Sequence, residues 1–197
     1  MARLRESGEL PTTLEEFVVW HEKQPERWEF IDGEPVLLEL APLRRTMIKG
    51  NIYATLARRL MGKPCTAYVS GIELRAFEQS ALLDAVVSCS PPDFRTPIVA
   101  EPVVVVEVAT AATFGRDMSS KLESYRLYPS LRHYIVVHPS KHLVILFHRQ
   151  SADRLVNVWH EAGPVELPAI GASLTIQEIF ENVPSGTEDE ETGCPTS

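Results

Sequence analysis

One stretch limits what this chain can fold into more than any other: Pro102-Val103-Val104-Val105-Val106-Glu107-Val108. β-Branched side chains crowd the turns of a helix but pack well on a pleated strand. A run that is apolar at consecutive rather than alternate positions predicts a strand covered on both faces. Leu82-Leu83-Asp84-Ala85-Val86-Val87-Ser88 has the same character. Strands of this kind call for a sheet with helices packed against it. They also make their acids conspicuous. An ionised carboxylate in such a strand must be paired, protonated or bound to metal, so Asp84 and Glu107 are the first candidate functional residues.

The rest of the chain supplies the layers. Thr12 and Thr13 each precede a glutamate by three residues, the capping-box spacing, and Leu14, Phe17 and Val18 form the stripe of a first helix that ends at Pro25. Trp28–Ile31 and Pro35–Leu38 flank Asp32-Gly33, a two-residue hairpin turn. Ile48, Ile52, Leu56 and Leu60 lie four apart and predict a helix over 43–61, with Gly62 as its stop. Strands are expected over 65–69, 73–77, 82–88 and 102–108, then a helix over 117–127 before Pro129. Further strands are expected over 133–137, 142–148 and 155–159, and a short helix capped by Thr175 and Glu178 ends near Asn182. This order predicts an α/β (α+β-like) chain: a mixed central β-sheet flanked by α-helices, in one domain over 1–183. It lacks the regular strand–helix alternation of a dinucleotide fold, and there is no GxGxxG or Walker A motif. The acidic end over 184–197, with Glu188-Asp189-Glu190-Glu191, has little to bury and is expected to be disordered.

Charge narrows the function. The formal net charge of -8 argues against a protein that coats nucleic acid. It leaves room for an acidic site with a local basic wall, and Arg44, Arg45 and Lys49 on the long helix face either phosphate or solvent. The longest apolar run is far too short to span a bilayer, and the first ten residues lack the apolar core of a signal peptide, so a cytoplasmic protein without membrane association is expected. Cys65, Cys89 and Cys194 are widely spaced and odd in number, which predicts neither a disulfide framework nor a zinc site and suits a reducing compartment. His138 and His142 are separated by Pro139, so a histidine metal site is not expected.

Two further residues complete a possible set. Glu29 precedes the Asp-Gly turn, and Lys121 lies on the helix after the Glu107 strand with Tyr125 one turn on. A half-exposed strand glutamate and a solvated helix lysine would explain each alone. Phosphodiester hydrolysis needs an activated water and compensation of charge on phosphate. Mg²⁺ supplies both and takes one or two carboxylates plus waters.

The segments PERWEFIDGEPV, LLDAVVSCSPPD, VVVVEVAT and KLESYRLYPSLRHYIVV resemble the Uma-two family of restriction-endonuclease-like proteins, within the PD-(D/E)XK nuclease superfamily. The likeness runs from about residue 10 to 183. It implies a restriction-endonuclease-like fold and an endonuclease, dependent on Mg²⁺ or Mn²⁺, that hydrolyses phosphodiester bonds in DNA. The alternative it leaves is an inactive nuclease-fold protein that binds nucleic acid or a protein partner. By this resemblance Asp84 and Glu107 bind metal, the main-chain carbonyl of Val108 faces it, and Lys121 and Glu29 complete the catalytic set. The superfamily lysine usually stands two residues beyond the acid. That position here is Ala109, small enough to admit Lys121 from the following helix. Leu83 stands where proline is common, Arg45 where the family often has histidine, and 109–113 is plainer than the family's Ser/Pro-rich turn. Arg45 in that place is a candidate phosphate contact, with Tyr125 flanking the site. A homodimer would suit double-strand cleavage.

Overall fold

The computed structural model describes residues 10–38, 43–76, 79–110, 113–151 and 154–184. The expected acidic tail, apart from Pro184, lies outside the described residues.

Helix α1 (Leu14–His21) starts at Thr13, whose hydroxyl accepts from Glu16 N–H at 3.2 Å. Strands β1 (Trp28–Ile31) and β2 (Glu34–Leu37) form the expected hairpin. Asp32 and Gly33 both have positive φ, 53° and 79°, the left-handed pair that a tight hairpin turn requires. Helix α2 (Leu43–Leu60) buries Ile48, Ile52, Leu56 and Leu60. Strands β3 (Thr66–Ala76), β4 (Gln79–Ser88) and β5 (Pro102–Val108) follow. Two short helices, α3 (Phe114–Asp117) and α4 (Ser120–Arg126), lead to β6 (His133–His138), β7 (Leu143–Ser151) and β8 (Arg154–His160). The described chain ends with β9 (Pro164–Leu167), β10 (Ala172–Thr175) and α5 (Ile176–Ile179).

Among the described residues eight strands form one sheet in the order β2-β1-β4-β5-β6-β7-β8, with β3 on β4. The pairs are antiparallel except β5 and β6, which run parallel and are joined by the α3–α4 crossover. Alternation along β5 divides the core. Val104, Val106 and Val108 pack with Ile48, Ile52 and Leu56 of α2, while Val105 packs on the other face with Tyr125, Tyr134 and Val136. The valine run is therefore covered on both faces, as its continuous apolar character requires. Among the described residues no helix is long and apolar enough to cross a membrane.

Several expectations are corrected. The strands expected over 65–69 and 73–77 are one strand, kinked by a bulge where Ser70 and Gly71 take φ of 52° and 71°. The helix expected over 117–127 is broken, because Ser119 leaves the helical region at φ -126°, ψ -87°. Strands β9 and β10 were not expected; each has four residues and they pair only with each other. Cys65 and Cys89, expected to be free, are joined by a disulfide. They continue the register past Thr66↔Ser88, so residues 24 apart in sequence face each other across β3 and β4.

The candidate site follows from one irregularity of this sheet. β3 occupies one edge of β4 along its length. The other edge is shared: β1 pairs with it at Ser80, and β5 pairs with it from Ala85 to Ser88. Between those contacts β4 changes partner, and main-chain N–H groups near the seam need other acceptors.

Candidate active site

Two carboxylates fill the seam. Glu29 Oε1 accepts from the Leu82 N–H at 2.9 Å, and Asp84 Oδ2 accepts from the Val108 N–H at 2.7 Å. The β4–β5 register ends at Ala85↔Val106, so one step further it sets Asp84 opposite Glu107. The acids that stood out in the sequence thus sit where strands part and the backbone supplies donors.

Helix α4 brings the countercharge. Lys121 and Tyr125 are one turn apart on it and both are buried. Lys121 Nζ lies 3.1 Å from Glu29 Oε1, 3.1 Å from Glu107 Oε1 and 3.6 Å from Asp117 Oδ1. The Tyr125 hydroxyl donates to Glu107 Oε1 at 2.8 Å. The break at Ser119 lets α4 start afresh after Asp117, whose carbonyl accepts from the Tyr134 hydroxyl at 2.8 Å. Ala109, 1% exposed, is packed in the cluster that includes Tyr125.

Asp84 is engaged from the other helix layer. Lys49 Nζ is 2.5 Å from its Oδ1, and Arg45 Nη2 is 2.9 Å from its Oδ2. These two cations are one turn apart on α2. Arg116 Nη2 lies 3.7 Å from Glu29 Oε2.

Three buried carboxylates around one ammonium perturb each other. Burial pushes the Glu107 carboxyl up to about 8, against the opposing pull of Lys121. Burial raises Asp117 as well, again opposed by Lys121. For Lys121 burial disfavours the charge, but Glu107, Glu29 and Asp117 outweigh it and hold the ammonium protonated above the usual lysine range. Burial and the neighbouring Glu107 raise Tyr125, which keeps its hydroxyl a donor.

Glu29, Arg45, Lys49, Asp84, Arg116, Asp117 and Lys121 line one cavity of about 480 Å³. Glu107 lies behind this lining, 1% exposed. Among the described residues four buried atoms of the lining have no hydrogen-bond partner: Glu29 Oε2, Asp117 Oδ1, Arg45 Nε and Arg116 Nε. Among the described residues no three His, Cys, Asp or Glu side chains are already disposed to hold a metal ion. The carboxylates are held by cations.

Every residue of the expected catalytic, metal-binding and flanking set falls in one neighbourhood; Arg44, expected to face phosphate or solvent, is instead buried, 5% exposed, and does not line this cavity. Glu29, Glu107, Lys121 and Tyr125 share hydrogen bonds, and Asp84, Arg45 and Val108 form the adjoining group. Asp117 and Arg116 were not singled out, and Lys49 was read only as a phosphate-facing or solvated helix residue. The available signal was spacing: Asp117 precedes Lys121 by four residues, and Lys49 follows Arg45 by four.

A mixed sheet between helices, with carboxylates and a lysine gathered where a strand changes partner, defines a protein of restriction-endonuclease-like architecture. A crystal structure of "a putative nuclease belonging to DUF820" from Anabaena variabilis has the same fold, with a TM-score of 0.70 at 15% identity over 86% of this chain and 98% of that one. The uncharacterized protein slr1290 of Synechocystis sp. is 25% identical over 170 residues, which span 84% of this chain and 90% of the relative. The profile of the Uma2 family, described as "putative restriction endonuclease", matches residues 14–177, and the chain belongs to that family.

Proposed function

We propose that this protein is a divalent-metal-dependent endonuclease acting on DNA, with Asp84, Glu107, Lys121 and Glu29 as its catalytic set. The observation that carries the reading is the Lys121 ammonium, buried in the cavity wall 3.1 Å from both Glu29 and Glu107. A lysine is desolvated at such cost only where carboxylates hold it, and here it also reaches a cavity large enough for a phosphodiester.

The donor set suits a hard cation in kind. All its side-chain donors are carboxylate oxygens, and two of the nearby oxygens, on Glu29 and Asp117, lack a hydrogen-bond partner among the described residues. Asp84, Glu107 and the Val108 carbonyl would hold Mg²⁺ or Mn²⁺. When bound, the ion supplies charge compensation at the phosphate and a more acidic water. Lys121 then positions the attacking water as a hydrogen-bond donor, with Glu29 fixing its ammonium. Tyr125 holds the Glu107 carboxylate in one orientation, and Arg45 contacts phosphate. The working unit is a single domain over 1–183, paired as a homodimer so that two sites meet the two strands of a duplex.

The test is cleavage of supercoiled plasmid with Mg²⁺ or Mn²⁺. Asp84→Asn and Lys121→Met should each lower the rate by about 10²–10³-fold, the scale of losing one preorganised charge-stabilising group. Equal rates in wild type and both variants would overturn the assignment.

A second reading is a nuclease-fold protein that binds nucleic acid without cutting it. The engagement of both Asp84 oxygens by Lys49 and Arg45 favours it. It requires DNA binding with no cleavage and no calorimetric heat from Mg²⁺ or Mn²⁺.

A further inference from the structure

We infer that Arg45 and Lys49 exchange partners: they hold Asp84 in the free protein and pass to backbone phosphates when nucleic acid enters, so that nucleic acid and a divalent cation bind this site cooperatively. The inference rests on the endonuclease reading and adds a coupling to it.

The geometry sets up a competition for one carboxylate. Asp84 Oδ1 is taken by Lys49 Nζ at 2.5 Å, and Oδ2 is shared by Arg45 Nη2 at 2.9 Å and Val108 N–H at 2.7 Å. A divalent cation at Asp84 has to share these oxygens with two positive charges already in contact with them. Mutual repulsion of the cations opposes its entry.

The same two cations are fitted for release. Their side chains are 15% and 17% exposed, against 6% for that of Asp84, and both line the cavity. They leave from one helix face, one turn apart. Among the described residues the Arg45 guanidinium keeps a buried Nε–H with no partner, and Arg116 on the same cavity keeps another. Buried unused N–H donors beside a cavity call for an acceptor. A phosphodiester oxygen meets that need, because a guanidinium pairs with phosphate through parallel N–H donors. Each cation that turns to phosphate frees an Asp84 oxygen. By linkage, what nucleic acid does for the cation, the cation does for nucleic acid.

The experiment is a titration of the full chain with Mn²⁺, following free Mn²⁺ by electron paramagnetic resonance, with and without a phosphorothioate DNA duplex that keeps its charge but resists cleavage. Mn²⁺ taken up by the duplex alone is subtracted. For wild type the duplex should tighten Mn²⁺ binding about tenfold, within the usual range of coupling between sites. Without duplex, Arg45→Gln/Lys49→Gln should bind Mn²⁺ about tenfold more tightly than wild type, and adding duplex should no longer change it. Lys49→Gln alone retains Arg45 on Asp84 and should shift Mn²⁺ affinity in the same direction by a smaller factor, which covers the case where the double variant does not fold. Mn²⁺ binding that Asp84→Asn abolishes, but that neither duplex nor the Lys49 variant alters, would overturn the inference and leave the endonuclease reading standing. No Mn²⁺ binding to any form, with or without duplex, would overturn both.

Discussion

At the scale of single residues, the site is governed by an excess of buried acid. Glu29, Glu107 and Asp117 share one ammonium, and burial pushes Glu107 up to about 8 from an ordinary value of 4.5. The folded chain therefore binds this proton more tightly than the unfolded chain. Its stabilising contribution is fully present below the unfolded value and is lost as pH rises through the folded one. Asp117, also raised by burial, acts in the same direction. Urea unfolding of the metal-free protein between pH 5 and pH 8 should show wild type losing stability relative to Glu107→Gln, by up to about 1.4 kcal/mol per pH unit. Parallel pH profiles for the two proteins would show that Glu107 is ionised throughout. The residues of this cluster were not equally legible in the sequence. Asp84 and Glu107 stand out because an acid inside an apolar strand needs a partner. Lys121 is an ordinary helix lysine until the family likeness and the small Ala109 point to it. Asp117 and Lys49 are marked only by their four-residue spacing to Lys121 and Arg45, because their contacts depend on where the crossover and α2 come to rest against the sheet.

At the scale of elements, what was legible is what depends on local chemistry. The Asp32-Gly33 hairpin, the four-residue spacing along α2 and the valine run of β5 each fix their own conformation. What was missed depends on register or on packing. Nothing in Met118-Ser119 marks the break between α3 and α4. β9 and β10 are four-residue strands that exist only as each other's partners. The disulfide belongs with these, since only the alignment of Thr66 with Ser88 shows that Cys65 faces Cys89. It ties the ends of the strand pair that carries Asp84 on one member and the Ser70-Gly71 bulge on the other, and all three residues line the cavity. Closing a loop of 24 residues restricts the unfolded chain by up to about 3 kcal/mol. The Cys65→Ser/Cys89→Ser variant should unfold at lower urea by that scale. Wild type in excess reductant should superpose on it, and a reductant that leaves the wild-type curve unmoved would show the thiols unpaired in solution.

At the scale of the whole molecule, charge and site pull in opposite directions. A chain with a formal net charge of -8 repels DNA at long range, yet the cavity that holds Asp84 and Lys121 is also lined by Arg27, Arg45, Lys49 and Arg116. On the proposed reading the duplex is held at this lining, where Glu26, Glu29, Asp84 and Asp117 offset most of the positive charge, so the number of phosphates neutralised there is small. That separates this molecule from one that coats nucleic acid. Counterion release makes the logarithm of the association constant fall linearly with the logarithm of salt, with a slope of about 0.9 per phosphate contacted on duplex DNA. Contacts from Arg45, Lys49 and Arg116 give an expected slope of about -3 per site, measured by fluorescence anisotropy of a labelled duplex. Arg116→Gln should make it shallower by about 1 and weaken different duplex sequences alike, since phosphate contacts carry no sequence information. A slope steeper than about -6 per site would require a second basic surface elsewhere on the molecule, and the cavity would then not be where the duplex is chiefly held.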